Sequence, residues 1–506
     1  MPNLRHFLPL GRQFCLALVL TLTGQALVLA QSQPQLQAPS ADPALQSLPS
    51  LVNSLWVILA FWLVLVMYGG FAAWTAGWCR AKNGVNNFTV HLFIFILTLF
   101  SFWGWGFALM FGRGNGWLGM APWFLRGENP LNYTLTSDLN LVLLFLFQAA
   151  IAGLTGTIVA RALAERVKFG DLMIFTLALV SIIYPVGGHW VWGGGWLAKL
   201  GFQDFAGATV INSVGGWAAF SGLAILGPRM GKYEPRRINT LPGHNLGLAF
   251  GGFFLISLGW FGLIGGQGFA LSPRMPTLFL NLLLAAGAAG LMAYALAQVM
   301  GKQAQPFLML NGMLAGFVAV AGGINHFGWV VATVVGAIAG FLCVLFIRWF
   351  DQAHLDDPVG ALSVHLVGGI WGTLAVGLFD TQAGLIRGQT LLLFNQLIGV
   401  AAIGIFVIVT SGVFWLLLRA TTGLRVNLES EINGLDMSQH NASLYHNGLS
   451  EAGGATNPFY IPPVPEETAT ENPETEEETN SSEESNSRDI ETMEATLENN
   501  ENSPSP

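Results

Sequence analysis

The sequence predicts an all-α integral membrane protein with eleven transmembrane helices, arranged around an inverted five-plus-five repeat and followed by a cytoplasmic tail. Three observations carry this expectation. Only 10% of the 506 residues are charged and 53% are hydrophobic, whereas soluble domains carry about 25% charged residues. Eleven apolar runs, each roughly long enough to cross about 30 Å of hydrocarbon as helix, recur between Leu51 and Leu418. Finally, one thirteen-residue pattern occurs twice, in helices that should run in opposite directions.

The chain opens with a secretory-signal pattern over residues 1–30. Arg5, His6 and Arg12 form a basic start, Phe14 to Leu29 an apolar run, and Val28 and Ala30 suit a small-residue cleavage site. An uncleaved twelfth helix is the alternative. With cleavage, the Gln/Pro/Ser-rich segment 31–50 begins outside the cell. The expected helices follow at 52–78, 88–112, 139–160, 172–197, 205–227, 246–266, 276–301, 306–324, 327–347, 358–379 and 388–418, filling a domain over 51–420, and none contains Asp, Glu, Lys or Arg.

An outside start and eleven crossings leave the C-terminus in the cytoplasm. The basic residues offer an independent check. Expected cytoplasmic segments hold Arg80, Lys82, Arg161, Arg166, Lys168, Arg229, Lys232, Arg236, Arg237, Lys302, Arg348, Arg419 and Arg425; expected outer loops hold only Arg113, Arg126, Lys199, Arg274 and Arg387. A cytoplasmic tail is expected over 421–457, ordered from Gly423 to Tyr445. Beyond it, 458–506 lacks large apolar residues and should be disordered. Glu466 to Glu501 holds fourteen acids against Arg488 alone, so the net charge of −8 belongs to this arm. Cys15, Cys79 and Cys343 suggest no disulfide framework or metal cluster.

The repeat reads DFAGATVINSVGG at 204–216 and DPVGALSVHLVGG at 357–369. Inverted repeats of this kind place ligand sites near the bilayer midplane. Asn212 aligns with His365, each about two turns into its helix, so both should approach the midplane from opposite sides, with Asn212 hydrogen-bonding His365. Asp204 and Asp357 stand at helix starts, where capping is the simpler reading. Trp192 precedes three glycines, which permit close approach beside a ring able to face a cation. Phe147 is a further aromatic candidate. Trp117, Trp123 and Trp196 read as interfacial anchors.

These residues resemble the ammonium transporter family. The match rests on Ala164-Glu165-Arg166, Val191-Trp192-Gly193-Gly194-Gly195, Asp204-Phe205-Ala206-Gly207, Gly259-Trp260-Phe261-Gly262, Asp356-Asp357-Pro358 with Val364-His365, and Gly434-Leu435-Asp436, in the family's order across roughly 51 to 446. The resemblance implies a homotrimer in a bacterial plasma membrane, each protomer with its own apolar pore. It also implies ammonium recruited outside by Trp192, Gln267, Asp204 and Phe147, and ammonia passing Ile151, Leu263, Asn212 and His365. A PII-type nitrogen signal protein is the partner it implies at the cytoplasmic face; no cofactor, metal or nucleic acid is called for. The pore departs from the family at four positions. Asn212 replaces the first pore His, Ile151 and Leu263 stand where two Phe rings usually stack, and Gln267 replaces a Ser.

Three other readings compete with an ammonium transporter or ammonia channel. A conduction-impaired ammonium sensor of the same fold would account for the altered pore and the acidic arm. An intramembrane enzyme would need a supported nucleophile and base in one cavity, and no such motif lies on the expected helices. A pore for another small neutral solute or for a monovalent cation is the last.

Overall fold

The computed structural model describes residues 44–126, 140–301 and 305–445. The expected signal segment 1–30, most of the outer segment 31–50, Lys302 and the chain beyond Tyr445, including the acidic arm, lie outside the described residues. Eleven apolar helices form the bundle: α1 (Ala44–Trp78), α2 (Ala81–Phe111), α3 (Leu141–Ala162), α4 (Phe169–Leu200, broken after Val191), α5 (Ala208–Leu226), α6 (Leu246–Gly266), α7 (Met275–Val299), α8 (Pro306–Ala321), α9 (Trp329–Gln352), α10 (Leu362–Phe379) and α11 (Leu391–Thr421). Ten meet the length of a membrane span, and α8 is a shorter apolar helix. With lipid as solvent, helices satisfy their own backbone groups, which is why long apolar runs become helices here.

The helices are not equally enclosed. The apolar window of α3 is 89% buried and that of α5 78%, against 22% for α1 and 28% for α11. The inner helices are therefore the ones that carry the candidate site.

Three sequence expectations need correction. The first helix is already formed at Ala44, eight residues before the expected start at 52. The helices are not free of charge: α4 holds Asp171 and α9 holds Arg348 and Asp351. Arg161, counted above with the loops, is in the last turn of α3 and fully buried. Each follows from helices running a few residues past the apolar run, where side chains lean back toward the helix N-terminus.

The stretch 423–445 packs on one face of the bundle, with α12 (Leu428–Asn433) and α13 (Leu435–His440) as its two short helices. Asp436 accepts from the amides of Val85 (3.0 Å) and Asn86 (2.8 Å), capping α2. Glu431 accepts from the Met230 amide at 2.7 Å and pairs with Arg425 at 2.7 Å. Lys82 donates to the carbonyls of Glu431 and Ile432, and His244 bonds the Tyr445 hydroxyl at 2.6 Å. These contacts define the tail face of the bundle.

The same face is held by buried ions. Arg229 donates from its amide and Nε to Asp356 Oδ2 (both 2.8 Å), from Nη2 to Asp356 Oδ1 (2.8 Å) and from Nη1 to Glu165 Oε2 (2.7 Å). Glu165 also accepts from the Arg80 amide and Asn83. Burial pushes both carboxyls up, but Arg166 and Arg229 hold Asp356, and Arg229 and Arg80 hold Glu165, below the usual carboxylate range.

Candidate functional site: two helix starts that meet

The repeat is visible in the backbone. Both copies begin their helix with a π-helical segment, Ala208–Ser213 in α5 and Leu362–Val367 in α10. The residue three after each Asp is a left-handed glycine, Gly207 at φ 86° and Gly360 at φ 74°, a conformation that disfavours any residue with a Cβ. The last glycine of each copy is where the two helices touch. A Cβ on Gly216 would stand 2.8 Å from the Leu366 backbone, and one on Gly369 would stand 2.4 Å from the Ala208 carbonyl.

Each aspartate caps its own helix. Asp204 Oδ1 accepts from the amides of Gly207 and Ala208 (2.9 Å each), and Oδ2 from Thr209 and Val210 (2.8 Å each). Burial nevertheless pushes its carboxyl up against those four donors. Asp357 accepts from Val359 at 3.3 Å and Leu362 at 2.7 Å.

At the meeting point, Asn212 Oδ1 lies 2.7 Å from His365 Nδ1, and both side chains are buried. Asn212 Nδ2 donates to the Gly207 carbonyl at 2.8 Å, which fixes the amide: a flipped group would set two carbonyl oxygens together. Oδ1 must then accept, so His365 Nδ1 carries the proton and Nε2 presents a lone pair. That Nε2 is buried and bonds no protein group among the described residues.

On the opposite face, Trp192 Nε1 donates to the Asp204 carbonyl at 2.7 Å, which orients the indole beside the start of α5. Phe147 is fully buried on α3, edge-on to Phe269 with centroids 5.8 Å apart, and a Cβ on Gly266 would lie 2.4 Å from its ring. Gln267 follows as the C-cap of α6, and its buried Oε1 accepts no hydrogen bond among the described residues. Ile151 and Leu263 are buried in the same core. On the tail face a cavity of about 450 Å³ is lined by Trp78, Arg229, Lys232, Asp357, Gly360 and Ser363, reaching two residues short of His365.

The structure thus joins Asn212 to His365, Trp192 to Asp204, and Phe147 to the helix end that carries Gln267. Sequence reasoning assigned no part to Phe71, whose ring is 6.2 Å from the His365 ring; an aromatic residue in an apolar run gives no signal of facing a histidine.

A family model described as the Ammonium Transporter Family matches residues 55–445. The chain belongs to the ammonium transporter family. It is 34% identical over 442 residues to ammonium transporter Amt2 of Archaeoglobus fulgidus, covering 81% of this chain and 92% of that protein. It is 31% identical to the ammonium transporter of Bacillus subtilis, covering 76% and 96%. Among solved structures, "Sensor Amt Protein" is similar at 33% identity with a TM-score of 0.74, covering 78% of this chain and 100% of that one. Mep2 of Saccharomyces cerevisiae, at 23% identity and a TM-score of 0.69, covering 75% and 88%, shares the fold.

Proposed function

We propose that the chain recruits ammonium at the face opposite the tail and passes it as ammonia, past Ile151 and Leu263 and then Asn212 and His365, toward a cytoplasmic tail face. The observation that carries this is the Asn212–His365 hydrogen bond where the two repeats meet, which leaves one buried imidazole acceptor at Nε2. An acceptor suits the N–H of ammonia. Energetics favour the neutral form. An unpaired ion costs on the order of 20 kcal/mol in an apolar medium by the Born estimate and still several after relaxation. Deprotonating an amine with a pKa near 10.4 at pH 7 costs about 4 to 5 kcal/mol.

For recruitment we assign the Trp192 ring, Gln267 Oε1, which bonds nothing among the described residues, and Phe147, with Asp204 holding Trp192 through its carbonyl. Trp192→Leu should weaken ammonium binding about thirtyfold, the scale of a desolvated cation–π contact of about 2 kcal/mol, with the protein still folded. Calorimetric affinity equal to the parent would reduce Trp192 to packing. We assign no catalytic residues. The assembly we propose is a homotrimer in a bacterial plasma membrane, N-terminus outside, with the tail face open to a PII-type nitrogen signal protein; the excess of basic residues in the tail-side segments supports that orientation.

A second reading, an ammonium sensor that conducts poorly, is favoured by Asn212 itself, which cannot titrate and so interrupts a two-histidine proton relay. Asn212→His should raise ammonium-driven current several-fold in reconstituted membranes, while Asn212→Leu should not. If both variants match the parent, Asn212 is off the path.

A further inference from the structure

We infer that Arg161 is a fixed cation barrier between His365 and the tail-face cavity, so that this path refuses ammonium as a charged species; the inference rests on the transport reading above. Arg161 lies in the last turn of α3, yet its side chain turns into the bundle and is fully buried. Its guanidinium carbon sits 4.6 Å from the centroid of the Phe71 ring. The same ring meets the His365 imidazole edge-on, with centroids 6.2 Å apart. One aromatic side chain therefore touches both the candidate pore histidine and a permanent positive charge.

Two other buried arginines show what a structural role looks like in this protein. Arg166 donates to the carbonyls of Gly227, Ala162, Ala164 and Asp356. Arg229 is saturated by Asp356 and Glu165. Arg161 has no such set: Nε, Nη1 and Nη2 are all buried and bond no protein acceptor among the described residues. Asp357 acts on it through space, but its carboxylate is engaged by the amides of Val359 and Leu362. The cavity is lined by Asp357, Gly360 and Ser363, the last of them two residues before His365 on the same chain segment. A cation leaving His365 for the cavity must therefore approach a guanidinium that cannot lose its proton in a place that salt screens little. Neutral ammonia meets no such repulsion.

The test compares the parent, R161Q and R161K in proteoliposomes under an ammonium gradient, reading current directly and ammonia flux by an internal pH dye. R161Q should raise the ammonium current about tenfold or more, as expected for removing a like charge at close range. R161K keeps the charge and should stay at the parent level. The parent should move ammonia with little current. Folded R161Q with the parent's current overturns the inference, as does R161K matching a gain in R161Q. Should R161Q fail to fold, the parent alone decides: an ammonium current equal to its ammonia flux excludes a barrier. A parent that neither binds ammonium in calorimetry nor moves ammonia defeats the transport reading and the barrier with it, whereas failure of the barrier alone leaves binding and ammonia flux in place.

Discussion

Arg229→Gln should lower the unfolding free energy by about 3 to 5 kcal/mol, the loss typical of removing one partner from a buried ion pair. The substitution strips three guanidinium donations from Asp356 and Glu165 at once, leaving buried Glu165 with Arg80 and Asn83 and buried Asp356 without its guanidinium fork. Those carboxylates tie the loops between α3 and α4, α5 and α6, and α9 and α10. Losing their common partner therefore loosens the whole tail face. Arg229→Lys keeps the charge but cannot reproduce the fork to two acceptors, so its loss should be smaller. The pH dependence carries the sign. Asp356 and Glu165 are held below ordinary carboxylate values, so their stabilisation is complete above about pH 4, the unfolded-state range. It fades as pH falls through the lower folded values. In Arg229→Gln both carboxyls rise toward their unfolded values, so the variant is weakest relative to the parent at neutral pH and the gap between the two narrows as pH falls below about 4. Thermal melts in detergent across pH check both points; an unchanged midpoint together with an unchanged acid limb would show that Arg229 is dispensable.

The fold was legible because lipid removes most alternatives: a long apolar run without water must be helix, and only its ends are uncertain. The repeat was legible because its recurring letters have backbone causes. Asp caps the amides of its own helix start, Gly207 and Gly360 take left-handed turns, and Gly216 and Gly369 let α5 and α10 touch. The pairing of Asn212 with His365 followed from that register. Arg161 was not legible. A basic residue near a helix end reads the same whether it snorkels outward or folds inward, and a shift of two residues in the end of α3 decides between them. Nor was the Arg229 network legible, since its carboxylates stand 64 and 127 positions away in the chain and no local pattern joins them.

Asp204→Ala should cost about 4 kcal/mol or more, because four amides at the start of α5 lose their only named side-chain acceptor, and each buried donor left unsatisfied costs about 1 to 3 kcal/mol. Asp357→Ala removes fewer such bonds, one of them long at 3.3 Å to Val359, and should cost less. The ordering of the two variants is thus a test of capping itself, since an equal loss would point to charge rather than hydrogen bonds. Asp204→Asn separates the two further. Its single carbonyl oxygen can still accept two of the four amides, so about half of the loss should return although the charge is gone. A carboxylate kept for attracting cations would instead be lost equally in the Asn and Ala variants. The consequence for binding follows from the Trp192 contact. The indole donates to the main-chain carbonyl of residue 204 rather than to its carboxylate, so Asp204→Asn should keep ammonium affinity near the parent value. In Asp204→Ala the loosened helix start should release the ring, and affinity and melting midpoint should fall together. Calorimetry and thermal melts on the same preparations check this; an Asn variant that melts like the parent but binds ammonium tenfold more weakly would place the carboxylate in the recruitment site instead.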